Sequence, residues 1–164
     1  MTETCYVIDT SSLVKLNREN PLDVYPGVWN KLEELVNTDR LIAPIEVLRE
    51  ISNNDDQLTK WAKKQKKMFR EPTVEQMKIV KEILKDYPAL IDVERKFDAD
   101  SWVIALAIEL SRNPQKKIVN IKRIVVTEEK LRGEKVKIPF VCQKYSIEAI
   151  DIITVFRTER WKFY

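Results

Sequence analysis

Acidic side chains occur at four separated points of the chain where a predicted strand ends or a helix begins. They are Asp9, Glu50, the pair Asp98 and Asp100, and the pair Glu128 and Glu129. In an open parallel sheet, ligands collect at the carboxyl ends of the strands, so we expect these acids to meet at one edge. Like charges brought together repel unless a cation joins them. A shared metal ion is therefore predicted there.

The chemistry open to these acids is that of a hard cation. Oxygen ligands without His or Cys favour Mg²⁺ or Mn²⁺ over zinc, and such ions activate water and stabilise negative charge on a phosphate. The sequence contains no histidine. Nucleophile activation by histidine, HExxH zinc sites and histidine acid–base catalysis are excluded for that reason. The prediction is hydrolysis of a phosphodiester by metal-activated water.

Each acid also has a structural interpretation when it is taken singly. Asp9 and Asp98 suit helix N-caps, Glu50 suits a solvated helix face, and the two glutamates after the third strand suit loop charges. Both interpretations stay open for each single residue. The joint pattern favours the shared cation, because acids from four separate places converge on one edge of the sheet.

Hydrophobic patterning predicts the elements that would position these acids. Apolar runs without polar alternation predict buried strands, and apolar residues at helical spacing predict helices. The strands are predicted at residues 5–8, 41–43, 124–127 and 147–153. The helices are predicted directly after Asp9, from Thr73 onward, and at residues 26–37, 45–52, 56–69 and 99–110. Asn113 and Pro114 end the helix at 99–110. Strands separated by helices pair in parallel, which predicts an α/β sheet covered on both faces.

Length and composition restrict the class of protein further. A chain of 164 residues with a hydrophobic fraction of 44% predicts one domain spanning residues 1–164. With only Gly27 and Gly133, the chain has neither a P-loop nor a dinucleotide-binding fingerprint. The widely separated Cys5 and Cys142 favour a reducing cytoplasmic location over a disulfide framework. No uncharged run exceeds eight residues and the N-terminus lacks a basic region, so neither a membrane span nor a signal peptide is predicted.

Charge is distributed unevenly along the chain. Residues 1–56 hold 5 Lys and Arg against 11 Asp and Glu, a net charge of −6, whereas residues 57–164 hold 24 against 15, a net charge of +9. An acidic patch beside a basic one suits a metal-using enzyme that acts on a polyanion. The lysine-rich run 60–70 is interpreted as a solvated helix face. The basic residues around the third strand include Lys116, Lys117, Lys122 and Arg123, and the loop after it carries the predicted RNA-binding residues Lys130, Arg132, Lys135 and Lys137.

Four segments, in their order and spacing, resemble the motifs of the PIN-domain family. VIDTSSL at 7–13 is similar to its opening strand and acid, VLREI at 47–51 to its helix glutamate, and DSWVIALA at 100–107 to its third acid on a central helix. VVTEE at 125–129 resembles its Thr-x-acid element, which assigns Glu129 rather than Glu128 to the site. ADSW at 99–102 together with KVKIPFVC at 135–142 resembles a subgroup of small prokaryotic PIN-like proteins.

The resemblance implies a three-layer α/β/α sandwich with a short central parallel sheet, and a Mg²⁺- or Mn²⁺-dependent endoribonuclease, often the toxin of a toxin–antitoxin pair. The implied catalytic and metal-binding residues are Asp9, Glu50, Asp100 and Glu129, with Asp98 assisting the metal from behind them and Ser11, Ser12 and Thr127 in support. Capping of the following helix is the alternative role of the two serines. Position 129 is Glu where the family usually has Asp, so one more methylene separates this carboxylate from the backbone.

Two further hypotheses concern binding rather than cleavage. The glutamate at position 129 motivates a catalytically silent PIN-like module that binds RNA or a protein partner without cutting.

Three of the tryptophans, Trp29, Trp61 and Trp102, lie on apolar helical stripes and are predicted to be core, whereas Trp161 is predicted to be free. The aromatic C-terminus at residues 161–164 therefore suggests a surface covered by an antitoxin or by a second copy in a homodimer.

Overall fold

The structure is a computed structural model that describes residues 2–54, 56–91, 98–112 and 120–164. Within these residues, five strands form one parallel sheet in the order β3-β2-β1-β4-β5. The strands are β1 (Thr2–Ile8), β2 (Leu41–Pro44), β3 (Phe69–Arg70), β4 (Asn120–Val126) and β5 (Glu148–Ile150).

Helices flank this sheet and complete a three-layer α/β/α sandwich, as the family resemblance implied. They are α1 (Thr10–Glu19), α2 (Pro26–Asn37), α3 (Ile45–Ile51), α4 (Gln57–Lys64), α5 (Val74–Asp86), α6 (Asp100–Arg112), α7 (Ile138–Lys144) and α8 (Ile152–Thr158), with a short 3₁₀ helix at Pro88–Leu90. In one group α6 packs against α5 and α7, and in another α3 packs against α1 and α4. Among the described residues, no helix is long and apolar enough to cross a membrane.

The pairing of β1 with β4 forms the centre of the sheet. The two strands run in register over seven residue pairs, from Thr2 opposite Asn120 to Ile8 opposite Val126. Their last apolar residues are completely buried, which confirms the prediction of strands covered on both faces. The backbone N–H of Asp9 donates to the carbonyl of Val126 at 2.8 Å, so the first residue after β1 is fixed against the end of β4.

Helix α6 is the central helix that its sequence predicted. Its apolar residues from Val103 to Ile108 are all buried, because β1, β2 and β4 contact one side of it and α5 and α7 another. It begins at Asp100, so this acid is buried in the first turn of the central helix. Its predicted end at Asn113 and Pro114, and the basic residues Lys116 and Lys117, lie outside the described residues.

Two predicted elements are shorter than expected, β1 and β4 begin earlier, at Thr2 and Asn120, and one helix was not predicted. The predicted helix 56–69 ends at Lys64, and the chain then pairs with β2 as the two-residue strand β3. The predicted strand 147–153 is shorter, because the Asp151 side chain caps the N–H of Thr154 and starts α8 within the β-branched run. Helix α7 was not predicted, since it begins without a side-chain cap and its main signal is Pro139 in the first turn.

The burial of α6 leads to a prediction for stability. Ile104 is 0% exposed and Ile153 on α8 is 39% exposed, so the same substitution can be compared in the core and at the surface. We expect Ile104→Ala to lower the free energy of unfolding by about 2–5 kcal/mol, since it leaves a cavity. Ile153→Ala should change it by less than about 0.5 kcal/mol. Urea unfolding followed by circular dichroism measures both, and equal losses would contradict the central position of α6.

Candidate functional site

Asp9 is the most buried acid at the carboxyl edge of the sheet, with 3% of its surface exposed. It is also the N-cap of α1, because its Oδ1 accepts the N–H of Thr10 at 2.8 Å. Its Oδ2 accepts two hydroxyl protons, from Ser11 Oγ at 2.6 Å and from Thr127 Oγ1 at 3.1 Å. The structural and the functional interpretations of Asp9 are therefore compatible, since one oxygen caps the helix and the other faces the hydroxyls.

The two hydroxyl groups connect the ends of β1 and β4. Ser11 Oγ accepts the backbone N–H of Glu128 at 3.0 Å, and Thr127 Oγ1 accepts that of Glu129 at 3.2 Å. Each hydroxyl oxygen thus receives a backbone proton and directs its own proton at Asp9. Ser11 and Thr127, both predicted as supporting residues, fix the orientation of this carboxylate.

The environment of Asp9 disfavours its negative charge. Burial raises the pKa of Asp9 above its usual value, and the negative charge of Glu129 raises it further. The hydrogen bonds from Ser11, Thr127 and Thr10 act in the opposite direction without cancelling the rise. A positive charge beside Asp9 would relieve this penalty.

The two adjacent glutamates after β4 have different environments. Glu128 Oε1 accepts Ser12 Oγ at 3.1 Å and the N–H of Ile152 at 3.0 Å, and its Oε2 pairs with Lys15 Nζ at 3.0 Å. It therefore ties α1 to the start of α8. Ser12, predicted as a supporting residue of the acidic site, contacts Glu128 rather than Asp9.

Glu129 acts on Asp9 electrostatically, and its Oε2 accepts the N–H of Ile138 at 2.9 Å. This contact places a carboxylate at the first residue of α7. The thiol of Cys142 on α7 lies near both acids, and burial together with their negative charges raises the pKa of Cys142 to about 12. This environment favours the protonated thiol of Cys142 over the nucleophilic thiolate.

The second predicted acid, Glu50 near the end of α3, is joined to the site through Thr10. Its Oε1 accepts Thr10 Oγ1 at 2.7 Å. Thr10 thus donates its backbone N–H to Asp9 and its hydroxyl to Glu50, which connects the two acids through one residue. Sequence reasoning missed this role of Thr10, and its only signal was its position directly after Asp9.

Asp98 and Asp100 lie at the start of α6. Asp98 Oδ1 accepts the backbone N–H of Asp100 at 3.2 Å, which fits the predicted capping role of Asp98. The Asp100 side chain is buried in the first turn of the helix. Both aspartates, like Glu50, have further interaction partners.

The basic loop after β4 meets the acidic site at one cavity of about 250 Å³. The cavity is lined by the two adjacent glutamates and by all four predicted RNA-binding residues: Glu128, Glu129, Lys130, Arg132, Lys135 and Lys137. Lys130 Nζ lies 3.4 Å from Asp151 Oδ2 at its edge. The side chains predicted to attract RNA therefore lie beside an acid predicted to bind metal.

The oxygen-only donor set at this edge has the chemistry that Mg²⁺ and Mn²⁺ prefer. The described contacts join Asp9 to Ser11 and Thr127, to Glu129 through its charge, and to Glu50 through Thr10. Within the described part of the chain, no three acidic or cysteine side chains are grouped closely enough to hold a metal ion.

The fold and the site define an α/β protein with a buried aspartate at the carboxyl edge of a parallel sheet, where two hydroxyl groups donate hydrogen bonds to it. The profile of the family described as a domain of unknown function, DUF4411, matches residues 6–163, and the chain belongs to that family. No curated protein and no solved structure matches the sequence.

The raised pKa of Asp9 predicts the effect of removing its charge. An acid whose pKa is raised by folding contributes stability below its ordinary pKa, and this contribution is lost as the pH rises through the folded pKa. We therefore expect Asp9→Asn to raise the melting temperature at pH 7 in EDTA, measured by differential scanning calorimetry. Asn keeps the Thr10 bond, and its amide can donate to both hydroxyl oxygens.

Asp151 provides a control for which the expected change in melting temperature has the opposite sign. Its hydrogen bonds to Thr154 lower the pKa of Asp151, so its charge stabilises the fold above its ordinary pKa and this contribution is lost as the pH falls. Asp151→Asn should lower the melting temperature under the same conditions. A lower melting temperature for Asp9→Asn as well would contradict the unfavourable burial of its charge.

Proposed function

We propose that this protein is a Mg²⁺- or Mn²⁺-dependent endoribonuclease of the PIN-like kind, acting in the cytoplasm. The observation that carries the proposal is the Asp9 carboxylate, which is buried, oriented by two hydroxyl protons and held next to the negative charge of Glu129. An arrangement that disfavours negative charge in the free protein is suited to receive a cation. The buried, unbridged Cys5 and Cys142 support a reducing location.

In this proposal the residues that hold the metal are Asp9, Glu50, Asp100 and Glu129, with Asp98 behind Asp100. A bound Mg²⁺ or Mn²⁺ would lower the pKa of water and neutralise the charge that develops on the phosphate. Ser11 and Thr127 keep Asp9 Oδ2 oriented, and Thr10 keeps Glu50 next to Asp9. Such hydrogen bonds from behind fix the direction of a ligand before the substrate arrives.

The basic loop supplies attraction for RNA in this proposal. Lys130, Arg132, Lys135 and Lys137 surround one cavity with Glu129, so a phosphodiester that contacts them would lie beside the acids. Contacts between lysine or arginine and phosphate release counterions and provide affinity without sequence specificity. The loop therefore brings RNA to the site, and the carboxylates act on it.

The family resemblance further suggests a toxin that is neutralised by an antitoxin. The exposed Phe163 and Tyr164 at the C-terminus offer aromatic surface for such a partner or for a second copy. Trp161, which the sequence left free, instead packs on Phe156 with ring centroids 5.4 Å apart. Phe163 packs on the same ring at 5.6 Å, so the aromatic surface offered to a partner is one cluster in which Phe163 and Tyr164 are exposed and Trp161 is partly buried.

Cleavage of single-stranded RNA in Mn²⁺ or Mg²⁺ tests the activity. We expect the wild type to cut and EDTA to stop it, whereas Asp9→Asn and Asp100→Asn lose more than about 100-fold in kcat/KM. Thr127→Val removes one hydroxyl proton from Asp9 without changing the shape of the side chain. It should lose about 10- to 100-fold, the usual range for groups that orient a metal ligand.

The adjacent glutamates supply a matched control for this experiment. Glu129→Gln should remove activity, while Glu128→Gln should keep it and lower the melting temperature, because Glu128 ties α1 to α8. Equal cleavage by the wild type, Asp9→Asn and Asp100→Asn would reject the nuclease assignment. If Glu129→Gln stays active and Glu128→Gln loses activity, the metal-binding glutamate is Glu128 and the assignment of Glu129 is wrong.

A second candidate function is a silent module that binds RNA or a protein without cutting. The bond from the Ile138 N–H to Glu129 Oε2 favours it, since this carboxylate already has a structural partner at the start of α7. Isothermal calorimetry separates the two functions. No binding of Mn²⁺, together with binding of RNA, would select the silent module.

Removal of charge from the basic loop should change the salt dependence of RNA binding. For Lys135→Gln we expect weaker binding, and a slope of log K against log salt that is smaller by about 0.7 per lost phosphate contact. Fluorescence anisotropy with a labelled single-stranded RNA measures this slope at several salt concentrations. Lys63→Gln on α4 removes the same charge from the helix face interpreted as solvated and should leave the slope unchanged.

A further inference from the structure

A second cavity, of about 220 Å³, lies at the amino-terminal edge of the sheet, away from Asp9. Its walls come from the first residues of β1 and β4, from the turn before β2 and from Leu110 near the end of α6. Three arginines line it: Arg40, Arg70 and Arg123. This cavity takes no part in the function proposed above.

Arg123 is the unusual member of this group. It is paired in register with Cys5, so both side chains face the side of the sheet that also holds Leu110. Its Nε is buried and has no hydrogen-bond partner. Within the described part of the chain no ion pair neutralises Arg123, so a guanidinium with one unused, buried donor forms part of the wall of a partly open polar cavity.

The other two guanidinium groups are held in place by carboxylates. Arg40 donates from Nη1 and Nη2 to Glu159, at 3.1 and 2.5 Å, and from Nε to the carbonyl of Thr4 at 2.9 Å. Arg70 Nη2 pairs with Asp39 Oδ1 at 3.1 Å. These contacts use part of the five N–H donors of each guanidinium, so each retains further N–H groups.

All three arginines act electrostatically on one residue of the cavity wall. Burial raises the pKa of the Cys5 thiol, and the charges of the three arginines oppose that rise, whereas Glu3 adds to it. Two carboxylates, Glu3 and Asp39, also line the cavity, and each already faces an arginine, as Glu159 faces Arg40. The positive charge that no described ion pair offsets is therefore that of Arg123.

We propose that this cavity binds a small phosphorylated anion, whose phosphoryl oxygens accept from Arg123 and from the free donors of Arg40 and Arg70. A carboxylate has two oxygens and is satisfied by one guanidinium fork, whereas a phosphoryl group offers three oxygens and up to two charges to donors from several directions. A volume of about 220 Å³ suits a small molecule rather than a nucleic-acid duplex. Binding brings a negative charge to the guanidinium of Arg123, which no described ion pair neutralises.

The Nε–H resonances of arginine in ¹H–¹⁵N NMR spectra report on this site directly. We titrate the full chain with inorganic phosphate and with pyrophosphate, keeping the ionic strength constant with NaCl. The Arg123 Nε–H signal should shift saturably with both anions. Arg123→Gln should weaken the affinity about tenfold or more, since it removes a charged donor.

Matched variants separate the site from general charge effects. Lys122→Gln removes the same charge from the neighbouring residue of β4, whose side chain faces the other side of the sheet and pairs with Glu148. It should leave the affinity unchanged. Arg70→Gln, at a side chain that is 44% exposed, should weaken binding even if Arg123→Gln fails to fold.

Several results would overturn the proposal. One is an Arg123 signal that does not move, or that moves equally when NaCl replaces phosphate. Another is a response confined to the basic loop, in which Lys135→Gln removes binding and Arg70→Gln does not. Acetate that binds as tightly as phosphate would reject the phosphoryl class. None of these results depends on nuclease activity, so failure here leaves the proposed function unaffected.

Discussion

The pairing of β1 with β4 is the interaction on which the rest of the acidic site depends. It ends at Ile8 and Val126, so the polar residues that follow, Asp9 and Thr127, emerge side by side. Burial of a carboxylate is costly unless hydrogen bonds compensate for the lost water, and here two hydroxyl protons and one amide proton offset part of that cost. A register slip of one residue would turn the alternate side chains to the other face and remove these contacts.

The two glutamates after β4 have different roles, which their sequence does not distinguish. Glu128 and Glu129 are identical and adjacent, yet one is paired with Lys15, and the other accepts the N–H of Ile138 and acts on Asp9 through its charge. Their backbone N–H groups are held by Ser11 and Thr127 in turn, which fixes the loop from which the two side chains leave. A glutamate at position 129 also reaches the start of α7, so its additional methylene has a structural use.

Features that depend on the sequence of a single helix or strand could be predicted, whereas features that depend on contacts between elements could not. The buried strands, the central α6 and the parallel α/β class follow from apolar runs and their order, and Asp9 follows from its position after β1. In contrast, β3 is only Phe69–Arg70 and exists because the chain meets β2 there, which no local pattern shows. Thr10 was missed for the same reason, since its bond to Glu50 depends on the packing of α1 against α3.

The two ends of β1 and β4 carry different side chains, with arginines in the cavity at one end and Asp9 at the other, and the same strand pair connects them. Cys5, opposite Arg123, lies four residues before Asp9, which is about 13 Å along an extended strand. One phosphate group cannot reach both ends, so an anion at the arginine cavity would not compete with a cation beside Asp9. An anion that binds only the folded chain would stabilise the paired strands by mass action. Because the same pairing fixes the backbone of Asp9 against Val126, that stabilisation would extend to the strand ends that hold the acidic site.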